Sequence, residues 1–333
     1  MIEGASEGIS FTATAGGFAT TPVVDADNKL INEAPVNYRF TMRPQDTFTS
    51  NAIIKITLPT QISIESESHV TDGTSPLISP GDARVEVRFN RIIYISNAFP
   101  NGMTEIGDFF VELYGFTNPP TTQPTDSFEV KIFYEENTNE VSHYSGNDMT
   151  FTAEPSTALR VGAEIADTLT GQVQSSFVIS GTMEGTNTIE KQAYLRIKIP
   201  GAFIVSNYDR VASTCTRLSG FSDEISCSFE EVAMPSLGNY LIVRGGFDSE
   251  TFTEKDFSLT IAEVKNPFTT QETDSFEMEI YDRVGGLMYT SNNEVKLRMS
   301  ASNFAFVHVE SLSPANGVET IYTVTITLGV DTS

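Results

Sequence analysis

Residues 118–129 read NPPTTQPTDSFE, and residues 266–277 read NPFTTQETDSFE. Ten of the twelve positions are identical, at an offset of 148 residues. A match of this length within one chain marks an internal repeat, and a repeat fixes the architecture before any single element is read. Asn-Pro opens a turn in each copy, because proline drives the residue before it out of the helical region. Asp126 and Asp274 are expected to cap that turn with their side chains. Phe128 and Phe276 then start the inward face of the next strand. Asn118, Pro119, Asp126 and Phe128, with Asn266, Pro267, Asp274 and Phe276, are therefore read as a structural corner. The alternative for the two aspartates is a repeated ligand or metal site.

The similarity spreads outward from the corner. FFVELYGFTNP matches FSLTIAEVKNP, and SFEVKIFYEEN matches SFEMEIYDRVG. Upstream, NAIIKITLPTQISI matches QAYLRIKIPGAFIV, with Pro59 on Pro200. VNYRFTM matches FVISGTM with Met42 on Met183, an offset of 141 that places extra residues of the first copy in PVVDADNKLINEA. From Ala305 onward, AFVHVESLSPANGVETIYTVTITLG resembles VGAEIADTLTGQVQSSFVISGTM, the opening of another copy. The expected layout is residues 1–155 and 156–302 as two modules, and 303–333 as the first strands of a third.

Inside the modules apolar residues recur at every second position. Ile54, Ile56 and Leu58 alternate with Lys55 and Thr57, and Leu195, Ile197 and Ile199 with Arg196 and Lys198. Tyr322, Val324, Ile326 and Leu328 alternate with threonines. This period marks strands with one buried and one wet face, and threonine suits the outer face. Gly, Pro, Asn and Asp fall between the runs as turns require. Seven to nine short strands per module predict an all-β fold of tandem immunoglobulin-like antiparallel β-sandwiches.

The 333 residues carry 20 basic and 44 acidic side chains, a formal net charge of −24. A chain this acidic lacks the basic surface that a nucleic-acid backbone demands. No run of eighteen apolar residues is present, so this segment holds no membrane-spanning helix. The acidic opening MIEGASEG lacks the apolar core of a secretory signal. There is no N-glycosylation sequon.

Cys215 and Cys227 are the only cysteines, and they flank a polar segment between two alternating runs. A disulfide across this strand–loop–strand is the preferred reading, stabilising by about 3 kcal/mol in the loop-entropy model. It points to an oxidising compartment. Zinc does not fit the spacing, and no histidine lies nearby. His69, His143 and His308 are scattered and carry no nucleophile motif. No hydrolase, P-loop, zincin or dinucleotide fingerprint occurs, so no catalytic residue is assigned and no cofactor is expected. Asp25, Asp27 and Asn28 form a D-x-D-N run with the ligand types of a calcium loop but without its glycine and distal glutamate. Calcium there is a second metal reading that the sequence offers, against a solvated acidic loop.

The corner followed by an alternating strand resembles repeats in giant extracellular proteins of protists, ciliates above all. The resemblance covers residues 118–134 and 266–281, and both modules more weakly. It implies a surface or extracellular repeat protein with a structural role and nothing catalytic. The acidic, Thr-rich modules also look like bacterial or archaeal surface adhesins and pilus subunits. The expected function is a non-enzymatic structural protein of a surface filament or coat, partnered by itself or by neighbouring repeats. In that reading, residues 303–333 continue into a further module or complete a neighbour by strand addition. The alternative is an adhesin or receptor ectodomain for protein or glycan. That reading looks to the Cys215–Cys227 loop, expected only in the second module, and to its aromatic Phe221.

Overall fold

The run VNYRFTM shows how the chain folds. Val36, Tyr38, Phe40 and Met42 are buried, while Asn37, Arg39 and Thr41 lie on the outer face. Every second side chain is apolar and large, so only an extended strand puts them all on one side. The computed structural model describes residues 16–48, 50, 52–73, 82–134, 140–144, 148–172, 175–184, 188–205, 215–221, 224–230, 239–247, 256–302, 304–311 and 321–328. The expectations placed on residues 1–8 and 329–333 lie outside these residues. The chain divides into two compact units, Met1–Glu154 and Pro155–Ser333. Both are all-β, and no helix occurs among the described residues.

The first unit holds β1 (Val23–Ala26), β2 (Val36–Met42), β3 (Ile53–Thr57), β4 (Ser63–Ile64), β5 (Val70–Gly73), β6 (Arg84–Arg88), β7 (Ile92–Ser96), β8 (Phe109–Thr117), β9 (Glu129–Phe133) and β10 (Glu140–Tyr144). They form two antiparallel sheets. One runs β1-β2-β8-β4 with β5 also on β8, and the other runs β10-β9-β3-β7-β6. Aromatic side chains fill the space between the layers. Tyr38 stacks on Phe116 at 4.4 Å, and Phe40 meets Phe128 edge-on at 5.6 Å. Phe48, Phe99 and Phe109 form a second cluster. Each such ring stabilises the sandwich by about 1.5–3 kcal/mol through burial.

The second unit repeats the plan with β11 (Ser156–Ile165), β12 (Ser175–Met183), β13 (Tyr194–Ile199), β14 (Ile204–Val205), β15 (Cys215–Ser219), β16 (Ser226–Glu230), β17 (Asn239–Arg244), β18 (Asp256–Lys265), β19 (Glu277–Tyr281) and β20 (Leu287–Ser291). The order β14-β18-β12-β11 with β15 on β18 mirrors the first sheet of unit one, and β20-β19-β13-β17-β16 mirrors the second. Here a parallel pairing of β11 with β20, Ser156 opposite Tyr289, joins the two layers into one continuous sheet. Among the described residues each sandwich thus has ten strands rather than seven to nine. The extra ones include the two-residue strands β4 and β14, too short to show alternation.

Strand register corrects the sequence alignment of the two copies. Tyr38 pairs with Leu113, and Phe177 pairs with Ile261. Leu113 and Ile261 are related by the offset of 148, so Tyr38 corresponds to Phe177, at an offset of 139 and not 141. A shift of two residues keeps every side chain on its face, so sequence matching could not detect it. The corrected register leaves no insertion in PVVDADNKLINEA, because Asn32 and Gly171, also 139 apart, share the same left-handed turn with φ of 55° and 70°. The additional length lies in the second copy, seven residues of it between β13 and β18, where the cysteines sit. A bulge is also kept: Gly115 and Glu263, 148 apart, both have positive φ, 98° and 60°.

Two consequences of the corrected register concern packing. Gly181 lies opposite Phe257 where unit one sets Met42 opposite Phe109. A Cβ on Gly181 would come within 2.2 Å of the Phe257 ring, so the ring occupies the space a side chain would need. Cys215 pairs with Ile261 as Val70 pairs with Leu113. Cys227 pairs with Val243 as Val85 pairs with Ile95. The Cys215–Cys227 disulfide is present, with Cα atoms 6.0 Å apart. It ties β15 of one layer to β16 of the other, where unit one has two valines. The strand–loop–strand is therefore common to both units and only the covalent bond is particular to the second.

The last two strands, β21 (Phe304–Ser311) and β22 (Tyr322–Leu328), form an antiparallel hairpin that pairs with no other strand among the described residues. Val307 faces Ile326, Val309 faces Val324, and Ser311 faces Tyr322. The four aliphatic side chains and Tyr322 share one face, and each is more than half exposed. His308, Glu310, Thr323 and Thr325 occupy the other face.

Candidate functional site

The repeated corner is built around its asparagine. Asn118 follows β8 and is 2 % exposed. Its Nδ2 donates to the carbonyls of Asn28 and Leu30, both at 2.8 Å, and its backbone N–H donates to Glu33 O at 3.0 Å. Pro119 O accepts from Asn32 N at 3.1 Å. Asn266 makes the same clamp, with Nδ2 donating to Asp167 O at 2.6 Å and Leu169 O at 2.8 Å. Its N–H reaches Gln172 O, and Pro267 O accepts from Gly171 N. In each copy one side-chain amide donates to two carbonyls of the segment after β1 or β11. The corner is a lock between distant parts of each sandwich.

The two locks differ at one atom. In unit one the Tyr38 hydroxyl donates to Asn118 Oδ1 at 2.8 Å. Burial pushes the Tyr38 pKa well up, so the hydroxyl keeps its proton and its donor role. In unit two Phe177 replaces Tyr38, and Asn266 Oδ1 is buried with no hydrogen-bond partner.

The aspartates do not cap these turns as expected. Asp126 and Asp274 are exposed. Asp126 exchanges two bonds with the Gln61 side chain, at 3.1 and 3.3 Å, and Asp274 presents its charge towards Lys198 and Lys296. Short hydroxyls cap instead. Thr121 and Thr269 accept from the amides of Gln123 and Gln271. Thr125 and Thr273 accept from Phe151 N and Leu297 N. Ser127 and Ser275 donate to the carbonyls of Phe128 and Phe276. Their identity in both copies was the available signal. Phe128 and Phe276 are fully buried, as expected.

The other singled-out residues serve local structure. Asp25 pairs with Lys29 at 2.7 Å and accepts from Ala26 N. Asp27 Oδ1 accepts from Asn28 N and Asn37 N, and Asn28 Oδ1 from Leu30 N. These oxygens fold the loop between β1 and β2. Among the described residues no group of three or more His, Cys, Asp or Glu side chains is placed to share a metal ion. His69 lies against Tyr114, and His308 meets Glu310 at 2.7 Å on the hairpin; His143 sits on β10. Phe221 is not a presented aromatic. It is buried and packs on Phe247 and Phe257 at 5.6 and 5.4 Å.

The outer face of β13, β17 and β19 carries charge and rings in register. Arg196 bonds Glu230 at 3.0 Å and Glu279 at 3.1 Å and lies over the Tyr240 ring at 3.7 Å. Arg244 covers Tyr194, which stacks on Tyr281. Such pairs are solvated and contribute little each. They make a polar outer surface rather than a cleft.

No family model matches the chain, and no curated protein sequence matches it. Among solved structures, it is similar to the C-terminal domain of the Streptococcus pyogenes antigen I/II-family protein AspA, at 9 % identity, covering 84 % of this chain and 99 % of that one, with a TM-score of 0.25. The N-terminal domain of the Streptococcus gordonii adhesin Sgo0707 matches at 9 % identity over 80 % of this chain and 60 % of that one, with a TM-score of 0.31. The major pilin subunit of Bacillus cereus, BcpA, matches at 9 % identity over 84 % and 66 %, with a TM-score of 0.29.

Proposed function

We propose that this chain is a non-enzymatic structural segment of a surface or extracellular filament or coat, built from tandem β-sandwich repeats that associate through strand addition. One observation carries the reading. The β21–β22 hairpin matches β11–β12 in sequence, yet among the described residues it has neither a third strand nor an opposing layer, and its apolar face is open. In unit two Val161, Phe177 and Ile179 of the equivalent strands are buried. A two-stranded hairpin is marginal alone in water, and an open edge with an apolar face is a template for another strand. The partner is a repeat of another copy of the chain. The disulfide supports an extracellular setting. The likeness to giant ciliate surface repeats belongs to this reading through the two corner segments.

Sedimentation velocity over a concentration series tests it. The chain should self-associate, and the double substitution Val309→Thr with Val324→Thr should return it to monomer with both sandwiches folded. Equal sedimentation of the two proteins would overturn the proposal.

A second reading, an adhesin, is favoured by Phe89. This residue forms the tip between β6 and β7 with φ of 54° and is 87 % exposed. An exposed phenylalanine in the left-handed region costs about 1–2 kcal/mol and exposes a ring that a ligand would cover. Binding to a protein or glycan array that is lost in Phe89→Ala would favour this reading over the first.

A further inference from the structure

The outer face of the β10-β9-β3-β7-β6 sheet in unit one differs in sign from its counterpart in unit two. Strand register sets the comparison. Lys55 on β3 lies opposite Tyr94 on β7 and Lys131 on β9. Arg196, at the same place in unit two, lies opposite Ile242 and Glu279. Arg196 is neutralised within its own sheet, by Glu279 at 3.1 Å and Glu230 at 3.0 Å. Unit one sets Lys131 where unit two has Glu279. It sets Arg88 where unit two has Glu230, since Arg88 faces Ile92 as Glu230 faces Tyr240. Both carboxylates are thus replaced by cations.

The consequence is a surplus of positive charge in a chain whose net charge is −24. On this face β6, β7, β3 and β9 present Arg84, Arg88, Lys55 and Lys131 against Glu86 and Glu129. Glu86 is taken up by Arg88, at 2.6 and 3.1 Å. Glu129 is taken up by Lys131 at 3.2 Å and by the Thr57 hydroxyl at 3.2 Å. Lys55 and Arg84 make no ion pair among the described residues. Arg88 and Lys55 both lie over the Tyr94 ring, 4.5 and 5.8 Å from its centre. Like charges directly opposite, as Lys55 and Lys131 are, weaken a sheet. Beside Tyr94 an open cleft of about 350 Å³ is lined by Ile53, Arg84, Val85, Glu86 and Ser96.

We propose that this face docks an acidic peptide segment of another protein, held by its carboxylates over Lys55 and Arg84. Unit two shows the chemistry that fits. There Glu277 and Glu279, alternate residues of the extended β19, meet Lys198 at 2.6 Å and Arg196 at 3.1 Å. Alternate residues of an extended chain place their carboxylates on one side, about 7 Å apart. A peptide of that pattern supplies from outside what unit one lacks. The cleft admits one of its side chains beside Arg84. The rest of the chain is acidic and repels such a peptide, which confines docking to this face. The site is separate from the β21–β22 hairpin and stands or falls independently of it.

Fluorescence anisotropy of a labelled peptide of alternating Glu and Thr, titrated with the chain, tests the site. The peptide should bind. Its affinity should fall as salt is raised from about 0.1 M to about 1 M, because the screening length shortens from about 10 Å to about 3 Å. Lys55→Glu should weaken binding about tenfold or more by setting like charges against each other. The same change puts a carboxylate between Arg88 and Lys131, the arrangement of Arg196 with its signs reversed. Unit one should therefore keep or raise its thermal midpoint in that variant, so lost binding is not lost folding. Arg84→Ser, which installs the residue that Ser226 supplies at this place in unit two, should also weaken binding. No binding by the unaltered chain, or binding undiminished in Lys55→Glu, would overturn the inference. So would Lys55-dependent binding of heparin without binding of the peptide, which would make the partner a sulfated glycan.

Discussion

Replacing Asn118 with alanine removes the lock of the first sandwich, and the cost follows from its bonds. The amide loses two donated bonds and one accepted from Tyr38. Leu30 O keeps a turn bond from Glu33 N, while Asn28 O and the buried Tyr38 hydroxyl lose the partners that Asn118 gave them. At about 1 kcal/mol per lost bond, with more for groups left bare, the loss is about 3 kcal/mol. For a unit of this size that lowers the midpoint by roughly 6–12 °C. Asn266→Ala loses only two such bonds and also removes an oxygen that was already unpaired. It should cost about 2 kcal/mol. Differential scanning calorimetry of the full chain reads both, since each substitution moves the transition of its own unit. A cost below about 1 kcal/mol for Asn118→Ala, or a larger cost for Asn266→Ala than for Asn118→Ala, would refute the argument that the amide is the lock.

The same register supports further expectations. Tyr38→Phe should lower the first transition by about 1 kcal/mol, and Phe177→Tyr should raise the second by a similar amount by offering Asn266 Oδ1 a donor; denaturant titration compares them. Gly181→Ala should destabilise the second unit by about 1–3 kcal/mol through overpacking against Phe257, read in the same titration. Reducing the Cys215–Cys227 bond, which spans 12 residues, should lower only the second transition, by about 3 kcal/mol. Valine at both positions should keep the sandwich folded after that loss, because Val70 and Val85 occupy those sites in unit one. Circular dichroism with and without reductant checks this.

Much of the fold was legible because burial alternates. β3, β9 and β13 carry their apolar residues at every second position, and all are paired as that pattern requires. The corner was visible by its identity, but its working atom was not. The bonds of Asn118 reach carbonyls 88 and 90 residues away, and no local pattern points there, whereas Asp126 and Asp274 drew attention because aspartate caps turns elsewhere. The offset of 141 was misread for a physical reason. Matching Met42 to Met183 preserves alternation as well as the true pairing does, and only hydrogen-bonded register separates them. Phe221 looked presented because it follows Gly220 in a polar run, yet it closes a cluster with Phe247 and Phe257.

The central claim is that the β21–β22 hairpin is completed by a strand from a neighbouring repeat. Hydrogen exchange of the β22 amides that face away from β21, measured on dilute and concentrated solutions of the chain, tests it most directly. The account predicts rapid exchange when dilute and strong protection when concentrated, with protection lost in the Val309→Thr, Val324→Thr variant. Exchange that is the same at both concentrations would contradict it.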